Sequence, residues 1–148
     1  MPDAPTILGR ADPATEARMF AADPGEVARL DEWIGAVGQG WGVSEKTIFA
    51  ARLCVAELFA NVLEHGVAKP DDRVTVILLR RPDGLGVAFD DTSASFDPTA
   101  AVAAQPAQSI EAATAAGRGL MLLRNYARDL AYHRDGAGNH LTFWVETR

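Results

Sequence analysis

Three groups of residues in this 148-residue chain combine types and spacings that suit chemistry. Glu57, Asn61 and His65 recur every fourth residue in a segment patterned as a helix. Four residues are slightly more than one helical turn, so the three line a single stripe. A carboxylate one turn from an amide can accept a proton while the amide oxygen helps to hold Mg²⁺. A solvated helix face carrying three polar residues has the same spacing. Asp90-Asp91 follows the apolar run from Leu85 to Phe89. A carboxylate at a strand end beside a cleft can accept a hydrogen bond from the amino group of a base, although Asp also favours ordinary turns. Gly117-x-Gly119 stands before a helical pattern. Free amides in a helix's first turn suit a phosphate, and Arg118 would add a positive charge. A flexible loop end has the same composition. Singly, none of the three decides a function.

The elements that must position these residues follow from periodicity. A first edge strand is expected over residues 16–21. Asp23-Pro24-Gly25-Glu26 is a helix start, with Asp23 as the cap, Pro24 at the first position and Glu26 reaching back to the cap. Val27, Leu30, Ile34 and Val37 then share a face until Gly38 and Gly40. Ser44 caps a longer helix whose face carries Ile48, Ala51, Val55, Leu58 and Val62, and Gly66 ends it. Val74 to Leu79 and Leu85 to Phe89, joined through Arg81-Pro82-Asp83-Gly84, form a hairpin. Between Thr92 and Ala116 the pattern gives way to Ala, Ser, Gln and Pro, a length that marks a functional or disordered loop. A third helix starts at Gly117-Arg118-Gly119. Strands near 131–134 and 140–146 close the chain. The order predicts an α+β two-layer sandwich, with a mixed, mainly antiparallel sheet covered on one face by helices. Residues 1–15 are expected to be a flexible leader and 16–148 a single domain.

Composition excludes several classes. The formal net charge is −6 and no basic stripe is present, which argues against nucleic-acid binding. Hydrophobic residues make up 48% and charged residues 23%, a balance that supports one folded core. Cys54 is the single cysteine and falls in an apolar helical stretch, so no intrachain disulfide can form and a small buried thiol is expected. No apolar run reaches 18 residues, and the chain is expected to be cytoplasmic with no membrane partner.

Taken in order, these segments resemble the ATPase superfamily of the Bergerat fold, shared by DNA gyrase, heat-shock chaperones, sensor histidine kinases and mismatch-repair proteins. Within it they are most similar to the small anti-sigma factor serine kinases. Ala56 to Gly66 (AELFANVLEHG) resembles the family's Glu-x-x-x-Asn-x-x-x-His run. Val87 to Pro98 (VAFDDTSASFDP) resembles its first glycine box. Gly117 to Leu123 (GRGLMLL), with Asp129, Tyr132 and the Gly138-Asn139 turn, resembles the second glycine box and the strands after it. The resemblance implies ATP and Mg²⁺ as cofactors. It makes Glu57 the general base that activates an attacking hydroxyl, Asn61 a Mg²⁺ ligand and Asp91 the partner of the adenine amino group, with Ser93 beside the base. Gly117, Arg118 and Gly119 would hold the phosphates, residues 99–116 would be a mobile lid, and Thr142 would sit near adenine. His65 matches the pattern with no catalytic role assigned. The implied partners are a sigma factor and an antagonist protein that is phosphorylated. Family members commonly pair, which leaves a homodimer open, with Trp33 and Trp41 as either interface or core residues.

One departure bears on affinity. The family's Asp-x-Gly-x-Gly is Asp91-x-Ser93-x-Ser95 here. A serine forced to positive φ costs roughly 1 kcal/mol or more, with local hydrogen bonding by Ser93 as an offset. The expectation is therefore a serine/threonine protein kinase acting on an antagonist protein. The alternative is a non-catalytic module that sequesters its partner, with ATP binding structural or lost. A general ATP hydrolase fits less well, because the larger relatives that work this way carry further domains.

Overall fold

The computed structural model describes residues 14–65, 71–93 and 123–146, and of His65 only the backbone. Gly117, Arg118, Gly119, Ser95, Gly66 and the 99–116 segment lie outside the described residues, as does most of the expected leader. The elements are β1 (Thr15–Ala21), a 3-10 turn (Pro24–Glu26), α1 (Val27–Gly40), α2 (Glu45–His65), β2 (Arg73–Arg81), β3 (Gly84–Asp91), β4 (Arg128–Asp135) and β5 (Gly138–Glu146). The five strands form one sheet in the order β1-β2-β3-β5-β4, and every described pairing is antiparallel. Both helices pack on one face of it, giving the expected two-layer α+β sandwich.

Local chemistry sets the helix starts. Asp23 Oδ1 accepts from the Gly25 N–H at 2.8 Å. Glu26 does reach back, but past the cap, accepting from the Ala21 N–H at 3.2 Å. That contact ties the turn to the end of β1. Ser44 Oγ accepts from the Thr47 N–H at 3.1 Å and so caps α2 as its sequence predicts.

Alternation builds the core. Val74, Val76 and Leu78 of β2, Leu85, Val87 and Phe89 of β3, and Leu141, Phe143 and Val145 of β5 all face the helices and are buried. Ala51, Val55, Leu58 and Val62 of α2 meet them, while Ile48, also buried, lies against Gly38 of α1. Full burial of side chains this size stabilises by roughly 1.5–3 kcal/mol each. Trp33 packs edge-on against Phe20, with ring centroids 5.9 Å apart, and belongs to the core. Trp41 is half-buried against the same cluster. Cys54 is fully buried, and desolvation first, with the charge of Glu57 second, pushes its thiol up to about 12.

The β2–β3 hairpin pairs Arg81 with Gly84 across a two-residue turn, as its Pro-Asp sequence suggests. A side chain at Gly84 would collide with the Val145 carbonyl oxygen, so the crossing of β3 and β5 requires glycine there. The β4–β5 pairing is irregular between Arg128 and Ala131. There Asp129 takes φ 54°, and its carboxylate accepts from the Trp144 indole N–H at 2.6 Å. Among the described residues, no helix is long and apolar enough to cross a membrane.

Candidate functional site

The pleat of β3 separates the adjacent acids. Leu85, Val87, Phe89 and Asp91 share the helix-covered face, while Asp90 points to the open face. Asp91 thus occupies the next place in a core-facing row and is 8% exposed. Across the ladder Asp91 pairs with Asn139, which is the corresponding end of the β5 row Leu141, Phe143, Val145. A carboxylate buried this far needs donors. Its Oδ1 receives three, from the Ser93 N–H at 3.0 Å, the Ser93 hydroxyl at 2.5 Å and Asn139 Nδ2 at 2.9 Å. Among the described residues no donor reaches Oδ2.

Asn139 is itself held from behind. Its Oδ1 accepts from the Tyr132 hydroxyl at 2.6 Å and from Arg134 Nη1 at 2.8 Å. Arg134 Nη1 and Asn139 Nδ2 also both donate to the Ser93 carbonyl, each at 3.2 Å. A charge-assisted network of this kind fixes one side of Asp91 and leaves the other side for a ligand.

Ser93 therefore does not pay the expected conformational penalty. Among the described residues Asp129 is the one non-glycine at positive φ, so Ser93 lies outside the left-handed region. Its amide and hydroxyl instead close an Asx-type turn on Asp91. The glycine requirement falls at Gly138, where φ is +133°. A Cβ there would strike the Asp91 carbonyl oxygen and come within 3.1 Å of Thr92 Cα.

On α2, Glu57 is half-buried and Asn61 is 3% exposed. The helix packs against β3 and β5, the strands that present Asp91 and Asn139. Asn61 Nδ2 is buried with no hydrogen-bond partner among the described residues. An unmade bond to such a group costs about 1–3 kcal/mol, which a ligand can recover. Such an amide could donate through Nδ2 to a phosphate oxygen or, rotated, offer Oδ1 to a cation. The donor set therefore fits a magnesium nucleotide.

Thr142 is not brought to Asp91. It pairs with Ala88 three residues back along β3, an odd number, and so lies on the exposed open face. There it lines a hollow of about 330 Å³ with Arg81 and Trp144. Asn139 is the β5 residue paired beside Asp91. Asn139, Tyr132 and Arg134 were not assigned to the site from the sequence. A signal for Asn139 existed, since it is a polar residue in phase with Leu141, Phe143 and Val145.

A model of the histidine kinase-like ATPase domain matches residues 20–144. The chain belongs to the histidine kinase-like ATPase family. It is also 32% identical over 102 residues to the serine/threonine-protein kinase BtrW of Bordetella bronchiseptica, covering 67% of this chain and 70% of that one. The ATPase character of this histidine kinase-like domain implies that ATP binds.

Proposed function

We propose that the chain binds ATP with Mg²⁺ and transfers the γ-phosphoryl group to a serine or threonine hydroxyl of an antagonist protein, thereby releasing or retaining a sigma factor. The observation that carries the nucleotide reading is the buried Asp91. One of its oxygens is saturated by Ser93 and Asn139, and no described donor reaches the other. That second oxygen is suited to the exocyclic amino group of adenine.

In this reading Asn61 contributes to Mg²⁺ and Glu57, one turn earlier on the same stripe, accepts the proton of the attacking hydroxyl. Mg²⁺ supplies neutralisation of charge on the phosphates, and the protein's part is positioning. Gly117, Arg118 and Gly119 are assigned to the phosphates, and residues 99–116 to a cover over ATP, on the resemblance alone. The similarity to the serine/threonine-protein kinase BtrW supports phosphoryl transfer to a protein hydroxyl. The partner-sequestering alternative drew its force from Ser93 and Ser95; the local bonds of Ser93 to Asp91 weaken the first part of that argument, and Ser95 lies outside the described residues.

Titration calorimetry with ATP·Mg²⁺ tests the first half. Saturable binding is expected, with Asp91→Asn weakening it by about tenfold or more through a lost charge-assisted bond. Absence of heat at millimolar nucleotide refutes it. Radiolabelled ATP with candidate antagonist proteins tests the second half. Label is expected on serine or threonine and is expected to vanish in Glu57→Gln; transfer that persists in that variant removes Glu57 from its role.

A further inference from the structure

The open face of the sheet carries a second polar cluster, directly behind Asp91 and Asn139. His133 and His140 are direct cross-strand partners, and Asp135 lies two residues from His133 on the same side of β4. Asp90 is the β3 partner of His140. The pleat thus sends all four side chains to one face. The two imidazole rings stack with centroids 4.8 Å apart. Each Nε2 addresses a different oxygen of the Asp135 carboxylate, His140 at 2.8 Å to Oδ1 and His133 at 3.6 Å to Oδ2. Behind this, His140 Nδ1 meets Asp90 Oδ1 at 3.0 Å.

We infer that His133, Asp135 and His140 form a binding site for a borderline divalent cation of the Zn²⁺ class, with Asp90 orienting His140 from outside. Two imidazoles and one carboxylate are a donor set that such ions accept, leaving a fourth position for water. The ligand atoms lie within 4.8 Å of one another. Tetrahedral coordination at Zn–ligand bonds of about 2.0–2.2 Å sets ligand atoms roughly 3.4 Å apart, so the cluster must tighten by about 1.4 Å at its widest. His133 can supply that movement, because its side chain is 67% exposed. In the bound form His140 binds through unprotonated Nε2 while Nδ1–H donates to Asp90, the carboxylate–histidine–metal arrangement that fixes ring orientation. Mg²⁺ prefers oxygen donors and octahedral geometry, so this site discriminates against the ion expected with the nucleotide.

The cluster lies on the opposite face of the sheet from the nucleotide residues, so its test is independent of the proposed kinase activity. ZnCl₂ is titrated calorimetrically at about pH 8 into the full chain without nucleotide, and MgCl₂ is titrated in parallel. One-to-one Zn²⁺ binding is expected, with no response to Mg²⁺ in the same range. His133→Ala and His140→Ala should each weaken Zn²⁺ by tenfold or more, and Asp90→Asn by about tenfold, the usual cost of losing an outer carboxylate. Amide resonances of residues 133–140 should shift on Zn²⁺ addition. His65→Ala should leave the isotherm unchanged. Failure of Zn²⁺ to saturate, retention of affinity in both histidine variants, or loss of binding in His65→Ala overturns the site. Circular dichroism of each variant separates a lost ligand from a lost fold.

Discussion

Gly138→Ala tests whether the Asp91 arrangement depends on backbone geometry as the structure implies. Gly138 has φ +133°, a region that side chains rarely enter, and a strained backbone of this kind costs about 1–3 kcal/mol. The added methyl would also strike the Asp91 carbonyl oxygen and lie 3.1 Å from the Asp91 carbonyl carbon. Both obstacles are backbone, which cannot rotate away as a flexible side chain would. Relief requires β3 and β5 to part at the Asp91–Asn139 pair, disturbing the Asn139 Nδ2 bond to Asp91. Strain and a weakened charge-assisted bond together predict a loss of about 2–4 kcal/mol. With a urea m-value of about 2 kcal/mol/M for a domain this size, the midpoint falls by roughly 1–2 M. Nucleotide affinity should fall by at least tenfold in calorimetry, because the displaced strand end carries Asp91. Gly136, two residues earlier in the same hairpin, has nothing within 4 Å of its would-be Cβ. Gly136→Ala should therefore change stability by no more than about 0.5 kcal/mol. Equal urea midpoints for the two variants, or full nucleotide affinity in Gly138→Ala, would refute the reasoning.

Asn139→Leu removes a donor to Asp91 and leaves the Tyr132 hydroxyl and Arg134 without their shared acceptor. It should cost about 1–3 kcal/mol in urea unfolding and weaken ATP about tenfold by calorimetry. Phe59, fully buried on α2, should cost about 3–5 kcal/mol on change to Ala, read from the same unfolding curves. The Cys54 thiol, raised from 9.0 to about 12, holds its proton more tightly when folded than when unfolded. Its contribution to stability is thus complete below pH 9.0 and declines as pH rises towards about 12. Comparing alkaline unfolding of the parent with Cys54→Ala should show a shallower decline in the variant. A thiol reagent at pH 8 should react with the native chain only slowly, and quickly in urea.

The legible parts of this protein are those set by neighbours along the chain. Asp23 and Ser44 announce their helices because a cap bonds to amides two or three residues away. The α2 face from Ile48 to Val62 and the alternation of β2 are visible because burial repeats with the period of each element. Glu57 and Asn61 could be placed on one stripe for the same reason. The order of the family motifs is legible in the sequence even where Ser93 and Ser95 replace glycines.

What the tertiary structure decided depends on which strands meet and in what register. Only the β3–β5 pairing brings Asn139 to Asp91, 48 residues away. The same register puts Thr142 on the far face and assembles His133, Asp135 and His140 there. A sheet has a side-chain period of two, so the phase of Leu141, Phe143 and Val145 tells which face Asn139 and Thr142 take, whereas which residue of β3 each one meets follows only from the strand pairing.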